Sequence, residues 1–487
     1  MNYDELMRLA FGRGFFVPSC EIYSDAPAGF WEYGPLGTIF RNRFIDLWRK
    51  EIVRRDQMIE IDGSQIMAKE VFEASGHLKN FVDPIVSCSK CGLTVRADKL
   101  ISDNINEIIP ERLTNEDYDN YLKRNKISCP KCHSELGKVS KFNMMFRVGV
   151  GATNESAYLR PETCQSIFLD FPRLFKIMRG KLPFPVAQSG KSFRNEISPR
   201  QSLMRLREFY QAEIEVFYNL SRINEFKKFE EISSYVLRFL IDTHINEISC
   251  EEALKKNIIP NKLVGYYLAI IQQFYEKAGI DLNKLRLRKL TNKEKAFYAK
   301  SSFDLEIETS LGWIELVACN DRGDYDLKRH MEVSKRDMTV IDGDDKVLPN
   351  IFELSMGVDR SLYCIMENSF IKENDRGILK LNRYLSPVQV GIFPLSKKES
   401  MQAKAKEVQN ILKGEFQIFY DESGSIGRRY RRQDEVGTPL GVTIDYDTLN
   451  DNTVTLRNRD NMEQKRVKIT ELLQIIRGYF LDKDIFR

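Results

Sequence analysis

FRNEISPRQSLMRLREFYQAEIEVF, residues 193–217, is the most informative segment of this chain. From Glu208 onward its residues alternate with a period of two, which is typical of a β-strand with two different faces. Four positions should face the core: Tyr210, Ala212, Ile214 and Val216. The opposite face carries a row too acidic to be packing surface alone: Phe209, Gln211, Glu213 and Glu215. The pattern predicts a strand that forms one wall of a site.

Arg194 and Glu196 precede that strand and lie two residues apart in extended chain, so both side chains leave on one face. An arginine placed in this way can bind a phosphate with its forked guanidinium, and a nearby carboxylate can accept a hydrogen bond from an adenine amino group. Arg207 and Phe209 are candidates for a second phosphate contact and an adenine stack. The alternative for an isolated Arg-x-Glu pair is a surface hairpin with salt bridges.

Length and composition narrow the class of protein. The 487 residues exceed one hydrophobic core and predict two to four domains. With 42% apolar and 30% charged residues the chain is typical of folded soluble proteins, and it has no apolar run of about 18 residues that would span a bilayer. Its N-terminal segment lacks the features of a signal peptide, so we expect a cytoplasmic location and no membrane contact. Lys and Arg total 74 against 70 Asp and Glu, so any RNA contact must come from local patches.

Other segments predict the remaining architecture. Residues from about 219 to 300 are rich in Lys and Glu at helical spacing, which predicts a helical insertion between strands. The run Asn350 to Met356 alternates and then feeds a helix at Gly357. After Tyr384, a strand, a helix to Leu412 and a second strand predict a separate small α/β domain.

Two CxxC pairs bracket a polar segment near the middle of the first half of the chain. Such pairs form the knuckles of a tetrahedral zinc site with four thiolate ligands, here Cys88, Cys91, Cys129 and Cys132. The alternative is four free thiols. The spacing predicts structural Zn²⁺ in an inserted module spanning residues 86–141.

Several motifs resemble those of a known family. The segment 193–217 resembles motif 2 of class II aminoacyl-tRNA synthetases, and GVDR, residues 357–360, resembles their motif 3. Further stretches are similar to glycyl-tRNA synthetases of the homodimeric archaeal and eukaryotic type: WEYGPLG, EASGHLKNFVDP, VRAD, YLRPETCQSIF, IELVACNDRGDYDL, ELSMGVDR and GRRYRRQDEVGTPLGVTID. Five pocket positions depart from the family pattern: Cys164, Ser166, Asn320, Gly323 and Leu354.

The resemblance implies an α+β fold in which an antiparallel class II sheet is flanked by helices. A catalytic domain would span residues 1–384, with the zinc-binding insertion at 86–141 and the helical insertion at about 219–300. Residues 385–487 would form an α/β anticodon-binding domain. The region Gly34 to Ile61 resembles motif 1, which implies a homodimer.

The resemblance also assigns a site to each substrate. The ATP site would comprise Arg194, Asn195, Glu196, Met204, Arg205, Leu206, Arg207, Glu208, Phe209, Glu315, Leu316, Gly357, Val358, Asp359 and Arg360. The glycine site would comprise Arg96, Glu162, Phe209, Tyr210, Gln211, Ala212, Glu213, Glu353, Leu354, Ser355, Met356 and Gly357. Arg194, Arg360 and Glu315 are the expected catalytic residues, with Glu315 helping to hold Mg²⁺.

These residues suit the activation of glycine by ATP and its transfer to tRNA(Gly). Carboxylates can hold the ammonium group of glycine, Arg96 can pair with its carboxylate, and larger amino acids must overpack a full pocket. The glycine carboxylate is already a nucleophile, so no general base is expected. The alternatives are a class II synthetase for proline, threonine or histidine, and a non-catalytic RNA-binding paralogue, which would be expected to lose Arg194 or Arg360.

A basic run in the C-terminal domain is the candidate tRNA contact. It consists of Arg428, Arg429, Tyr430, Arg431 and Arg432. Arginines of this kind bind RNA phosphates and a tyrosine can stack on a base. The alternative is a solvated helix face.

Overall fold

The computed structural model describes residues 3–105, 109, 113–199, 201–291, 294–295, 299–373 and 376–486. Their α-helices are α1 (Tyr3–Arg13), α2 (Pro35–Trp48), α3 (Lys69–Ala74), α4 (His77–Asn80), α5 (Ala97–Ile105), α6 (Asn115–Arg124), α7 (Cys164–Ile177), α8 (Cys250–Lys255), α9 (Lys262–Lys277), α10 (Tyr325–Ser334), α11 (Val358–Ser369), α12 (Glu399–Leu412), α13 (Ile426–Val436), α14 (Tyr446–Asp451) and α15 (Ile469–Phe480). A π-helical turn, Arg49–Val53, continues α2.

The strands of the same residues are β1 (Phe16–Pro18), β2 (Trp31–Tyr33), β3 (Ile59–Ile61), β4 (Ile66–Ala68), β5 (Val82–Ser87), β6 (Thr94–Arg96), β7 (Ser140–Asn143), β8 (Arg147–Val150), β9 (Glu155–Leu159), β10 (Phe184–Phe193), β11 (Glu208–Tyr218), β12 (Val236–Ile241), β13 (His244–Ser249), β14 (Leu285–Lys289), β15 (Ser301–Thr309), β16 (Gly312–Gly323), β17 (Val340–Asp342), β18 (Asp345–Val347), β19 (Asn350–Gly357), β20 (Phe370–Glu373), β21 (Arg376–Leu379), β22 (Val390–Pro394), β23 (Ile418–Tyr420), β24 (Leu440–Ile444), β25 (Thr453–Asn458) and β26 (Gln464–Lys468).

Nine of the described strands form the main sheet, in the order β13-β12-β14-β15-β16-β19-β11-β10-β3. Its pairs are antiparallel except for β12 with β14 and β10 with β3. Apolar side chains of α1, α2, α9 and α11 pack on one face, and those of α7 and α10 on the other side of the sheet. This arrangement confirms the predicted α+β fold with an antiparallel sheet flanked by helices.

The segment that opened the sequence analysis forms the strand predicted for it, β11. β10 pairs with β11 from Phe184 opposite Phe217 to Phe193 opposite Glu208. The alternating faces are also as predicted, because Ala212, Ile214 and Val216 belong to the main hydrophobic core. Downstream, β19 leads directly into α11 at Gly357, as expected.

The prediction of a helical insertion over residues 219–300 is wrong for much of that segment. Besides α8 and α9, the segment contains three strands, β12, β13 and β14, and all three extend the main sheet beyond β15. Abundant Lys and Glu side chains hide the alternation of these short strands, and strand pairing decides their conformation, since β12 pairs with β13 and β14, and β14 pairs with β15. Residues 292–293 and 296–298 lie outside the described residues.

The cysteine-bearing segment has a small core of its own. β5 pairs with both β6 and β7, and α5 and α6 cover them through buried residues such as Val86, Ile101 and Leu122. Residues 106–108 and 110–112 of the predicted module lie outside the described residues.

The C-terminal region shows the predicted order of strand, helix and strand. β22, β23 and β24 are mutually parallel and are joined through α12 and α13. With β25 and β26 they form the sheet β23-β22-β24-β25-β26, over a separate hydrophobic core. Across the described parts of the chain, no helix combines the length and the hydropathy needed to cross a membrane.

Candidate active site

A cleft of about 400 Å³ opens on the polar face of β11, β16 and β19. It gathers most of the residues expected at the two substrate sites: Arg96, Glu162, Arg194, Glu196, Met204, Arg205, Leu206, Phe209, Tyr210, Gln211, Glu315, Glu353, Ser355, Gly357, Asp359 and Arg360. Asn320, expected at the pocket as a departure from the family pattern, lines it too, and so do Met144, Leu203 and Ala318, which were not predicted. Residues from distant parts of the chain therefore meet on one face of the main sheet.

Several expected contact residues point elsewhere, which corrects the prediction for their side chains. Strand and helix geometry turns five of them into the hydrophobic core: Ala212, Leu316, Leu354, Met356 and Val358. Only their backbone atoms remain for contact with a substrate. Glu208 pairs with Lys191, and the N–H of Asn195 donates to the Met144 carbonyl at 2.8 Å.

Arg194 lines the cleft, and three groups contact its guanidinium. Its Nε donates to the Pro161 carbonyl oxygen at 3.1 Å. Its guanidinium lies 5.5 Å from the ring centre of Phe81 and 5.4 Å from that of Phe209. These contacts orient the guanidinium without neutralising its charge. Phe81 was missed from the sequence, because nothing local links it to Arg194.

Arg360 projects from the first turn of α11 and contacts Glu315. Its Nη1 donates to the backbone oxygen of Glu315 at 2.8 Å and to its Oε1 at 3.1 Å. Nearby, burial and the charge of Glu315 raise the pKa of Asp304 to about 7. The exposed Glu315 carboxylate suits Mg²⁺, which proteins usually bind through one or two carboxylates together with substrate phosphates.

Arg207, the candidate for a second phosphate contact, is not among the described residues that line the cleft. Its Nε and Nη2 donate to the Glu196 carbonyl oxygen at 3.0 and 2.8 Å, and its Nη1 donates to the Ala28 carbonyl oxygen at 2.8 Å. Arg207 therefore fastens the loop that carries Glu196. Arg205 lines the cleft instead, 3.8 Å from the Glu196 carboxylate.

Three buried carboxylates, those of Glu162, Glu213 and Glu353, lie in or beside the wall of the cleft. Glu213 is 1% exposed and accepts hydrogen bonds from the N–H and hydroxyl of Thr163, at 2.7 and 2.6 Å, and from the Ser355 hydroxyl at 2.5 Å. Burial and the neighbouring Glu162 charge raise the pKa of Glu213. Glu213 is not among the described residues that line the cleft, but it is a fixed acceptor bonded to Ser355, which does line it.

Glu162 lies beside Glu213 in a different electrostatic setting. Its Oε1 accepts from Gln165 Nε2 at 2.8 Å and from the Cys164 thiol at 3.0 Å, and His77 Nε2 lies 3.4 Å away. Burial acts to raise the pKa of Glu162, but His77 and these hydrogen bonds hold it well below its usual range. This carboxylate stays charged and attracts a cation.

Glu353 is anchored by a residue that sequence reasoning missed. Arg322 donates to Glu353 Oε1 at 2.6 Å and binds Asp326 through two hydrogen bonds of 2.7 and 2.8 Å. Burial raises the pKa of Glu353 to about 7 although the Arg322 charge opposes it. The alternation of β16 placed Arg322 on the polar face, but its partners depend on strand pairing.

Arg96 lines the cleft but is already paired. Its Nη1 lies 2.9 Å from Asp83 Oδ2 and its Nη2 lies 2.6 Å from Asp98 Oδ2. Two carboxylates therefore share the charge that was expected to hold the substrate carboxylate. Arg96 ties β6 and α5 of the cysteine module to the wall of the cleft.

The four cysteines of the CxxC pairs converge as predicted. The Sγ atoms of Cys88 and Cys132 lie 3.5 Å apart, and those of Cys91 and Cys129 lie 3.6 Å apart. All four lie within 4.8 Å of one another. A tetrahedron of thiolates about 2.3 Å from a central Zn²⁺ has edges near these lengths, so the donor set fits a closed structural zinc site.

We expect one zinc ion per chain, and Cys129→Ser should remove it because three thiolates leave the site open. Elemental analysis of protein purified without chelator measures the zinc, and limited proteolysis should show faster cleavage within residues 86–141. Cys20→Ser, at an exposed cysteine outside the cluster, is the matched control and should keep the ion. Zinc at full stoichiometry in Cys129→Ser would contradict the assignment.

Only part of the basic run in the C-terminal domain faces solvent. Arg429 is 3% exposed and donates to the Gly424 and Pro394 carbonyl oxygens. Tyr430 donates or accepts at Thr443 Oγ1, at 2.6 Å, and its ring packs on Phe393. Both residues therefore serve the packing of α13 on the sheet, and because Tyr430 is half-buried, its stacking on a base stays a prediction.

The other three arginines of the run differ in exposure. Arg432 is paired with Asp421, whereas Arg428 and Arg431 are exposed on α13. These two side chains are the part of the run that remains accessible to RNA.

Comparisons with known proteins agree with this geometry. A family model described as tRNA synthetase class II core domain (G, H, P, S and T) matches residues 146–369, and one described as anticodon binding domain matches residues 389–479. The sheet, the cleft and these matches define a class II aminoacyl-tRNA synthetase.

Similar proteins with curated names identify the family within this class. Proteins named glycine–tRNA ligase from Methanococcus maripaludis (strain C7) and Methanocaldococcus jannaschii are each 36% identical to this chain, and one from Thermococcus sibiricus is 37% identical. Each match covers 98% of this chain and 98–99% of the relative. The chain belongs to the glycine–tRNA ligase family.

Proposed function

We propose that this enzyme activates glycine with ATP to glycyl-adenylate and transfers the glycyl group to the 3′ end of tRNA(Gly). The observation that carries the proposal is the set of charged groups that line the cleft. Two arginines, Arg194 and Arg360, line it together with the buried carboxylates of Glu162 and Glu353, and the buried Glu213 is bonded to Ser355 of the same wall. We assign the arginines to an anionic nucleotide and the carboxylates to a small ammonium compound, and call these two parts the nucleotide end and the amino-acid end.

The nucleotide end supports adenylate formation. The glycine carboxylate attacks the α-phosphorus of ATP and pyrophosphate leaves, so negative charge must be neutralised in the transition state. Arg194 and Arg360 supply that charge from fixed positions, which favours the transition state without reorganisation. Mg²⁺, bound at Glu315, would neutralise further phosphate charge. Phe209 offers an aromatic face beside Arg194.

The amino-acid end supports recognition of the glycine ammonium. Glu162 is held ionised beside His77, and Glu213 is fixed by Thr163 and Ser355. A hydrogen bond between the ammonium and such a carboxylate contributes about 1.5–3 kcal/mol. Because Arg96 is paired with Asp83 and Asp98, its contribution to binding the substrate carboxylate is secondary.

Transfer to tRNA needs both domains of the chain. We assign catalysis to residues 1–384 and anticodon contact to residues 385–487, with Arg428 and Arg431 as phosphate contacts because both are exposed. The homodimer and the cytoplasmic location stay predictions. An accessory RNA-binding role is disfavoured because both Arg194 and Arg360 are present in the cleft.

Amino-acid-dependent exchange of ATP with pyrophosphate, assayed across the twenty amino acids, tests the proposal. We expect exchange with glycine alone, because the side chain of every other amino acid would overpack the pocket. Exchange with another amino acid would replace glycine as the substrate. No exchange with any amino acid, from protein that is folded, would favour the RNA-binding alternative.

A further inference from the structure

Asn320 is part of the cleft wall. It lies on β16, faces the cleft and is 8% exposed. β16 and β19 pair so that Asn320 stands opposite Glu353, and its Nδ2 donates to Glu353 Oε2 at 2.6 Å. Asn320 and Glu353 therefore form one hydrogen-bonded unit in the wall of the amino-acid end.

The two donors to Glu353 are not equivalent. Arg322 binds the other oxygen, is itself fixed by Asp326, and is not among the described residues that line the cleft. Asn320 does line the cleft, so a substrate meets its carboxamide directly. A hydrogen bond to a carboxylate is charge-assisted, so it holds the carboxamide in place.

Asn320 is larger than its two neighbours in the cleft wall, Ala318 and Ser355. The next residue of β16 on the same face is Ala318, which stands opposite Ser355 of β19. Both neighbours are small and both line the cleft. The space available to a substrate at this end is therefore set by Asn320 more than by the residues beside it.

We propose that Asn320 determines amino-acid specificity by filling the space that a substrate side chain would need. The proposal rests on the proposed function, since it concerns the choice between glycine and its nearest competitors. Alanine adds a methyl group and serine a hydroxymethyl group. To admit either, Asn320 must move, and its movement leaves a buried Glu353 oxygen without its donor. Overpacking and a lost hydrogen bond thus act together against larger substrates.

The test measures pyrophosphate exchange with glycine, alanine and serine in Asn320→Ala. This change removes more non-hydrogen atoms than the alanine side chain adds. We expect the ratio of kcat/KM for glycine to that for alanine to fall by at least about tenfold, with the KM for ATP unchanged. Asn246→Ala, at an exposed asparagine of β13, is the control and should keep the original ratio.

Asn320→Asp separates size from hydrogen bonding. The aspartate keeps the size of the side chain but replaces the donor with a carboxylate facing Glu353. We expect a lower kcat/KM for glycine and no gain with alanine. A gain with alanine as large as that of Asn320→Ala would overturn the proposal, because side-chain volume would then be irrelevant.

Two further results would also overturn it. One is an unchanged ratio of glycine to alanine in Asn320→Ala. The other is loss of exchange with every amino acid in both Asn320→Ala and Asn320→Ser, because Asn320 would then be needed for the reaction itself. Exchange with glycine in the unsubstituted chain tests the proposed function separately, so failure of one proposal is distinguishable from failure of the other.

Discussion

Arg194→Ala is expected to lower kcat/KM for glycine-dependent pyrophosphate exchange by about 10³-fold, which corresponds to about 4 kcal/mol of transition-state stabilisation. The reason is the position of the guanidinium, which is oriented by Phe81, Phe209 and the Pro161 carbonyl, none of which carries a charge. The expected effect on the thermal unfolding midpoint is small, because one hydrogen bond to a backbone oxygen and two ring contacts are lost.

Two variants make this experiment specific. Arg194→Lys keeps the charge but not the planar fork, so it should recover only part of the activity. Arg173→Ala removes an exposed arginine that pairs with Asp170 on α7 and should leave exchange unchanged. Near-normal exchange by Arg194→Ala would show that the nucleotide site is misplaced.

Arg322→Met is expected to have the largest effect on stability. Arg322, Asp326 and Glu353 are all buried, and the two carboxylates share this one guanidinium through short hydrogen bonds. Removing one partner of a buried ion pair leaves uncompensated charge and costs about 3–5 kcal/mol. Urea denaturation at neutral pH should show a lower midpoint. Glycine-dependent exchange should fall as well, because Glu353 loses its anchor.

The stability that Arg322→Met loses should depend on pH. Burial already raises the pKa of Glu353 to about 7, against an ordinary value of 4.5. Without Arg322 that pKa should rise further, so the folded state holds a proton over a range in which the unfolded state has released it. Stability of the variant should therefore fall as pH rises above about 4.5 and recover on acidification.

A neutral triple variant provides the control for this interpretation. Arg322→Met combined with Asp326→Asn and Glu353→Gln removes the cation and both anions together. It should regain much of the stability lost by the single variant, because no buried charge is left without a partner. Equal destabilisation of the single and triple variants would mean that packing around Arg322, rather than its charge, is what matters.

The sequence predicted those features of the site that depend on local periodicity. The alternation of β11 and β19 placed Gln211, Glu353 and Ser355 on the cleft side, and the structure agrees. The same alternation, had it been applied to every expected contact, would have placed Leu354 and Met356 in the core. The resemblance to a family implied substrate contact for those two residues, but strand geometry turns their side chains into the core.

Contacts between residues that are far apart in the sequence could not be predicted from local patterns. His77 lies beside Glu162, and Thr163 binds Glu213, only because α4, α7 and β11 meet in space. The strands within residues 219–300 were predicted as helix because the pairing of β12 with β13 and β14, and of β14 with β15, cannot be read from residue spacing. The ring of Tyr430 packs on Phe393 of β22, which no pattern within α13 reveals.

The position of β19 in the main sheet bears on how the protein is made. The hairpins β10–β11 and β15–β16 can each form from neighbouring chain, but β19 is synthesised after both and lies between β11 and β16. Until it emerges from the ribosome, the two hairpins lack their shared neighbour and expose unpaired edges. The ligase therefore acquires its cleft late in translation, through contacts of large sequence separation, and its nascent chain is most exposed to misassociation just before that strand arrives.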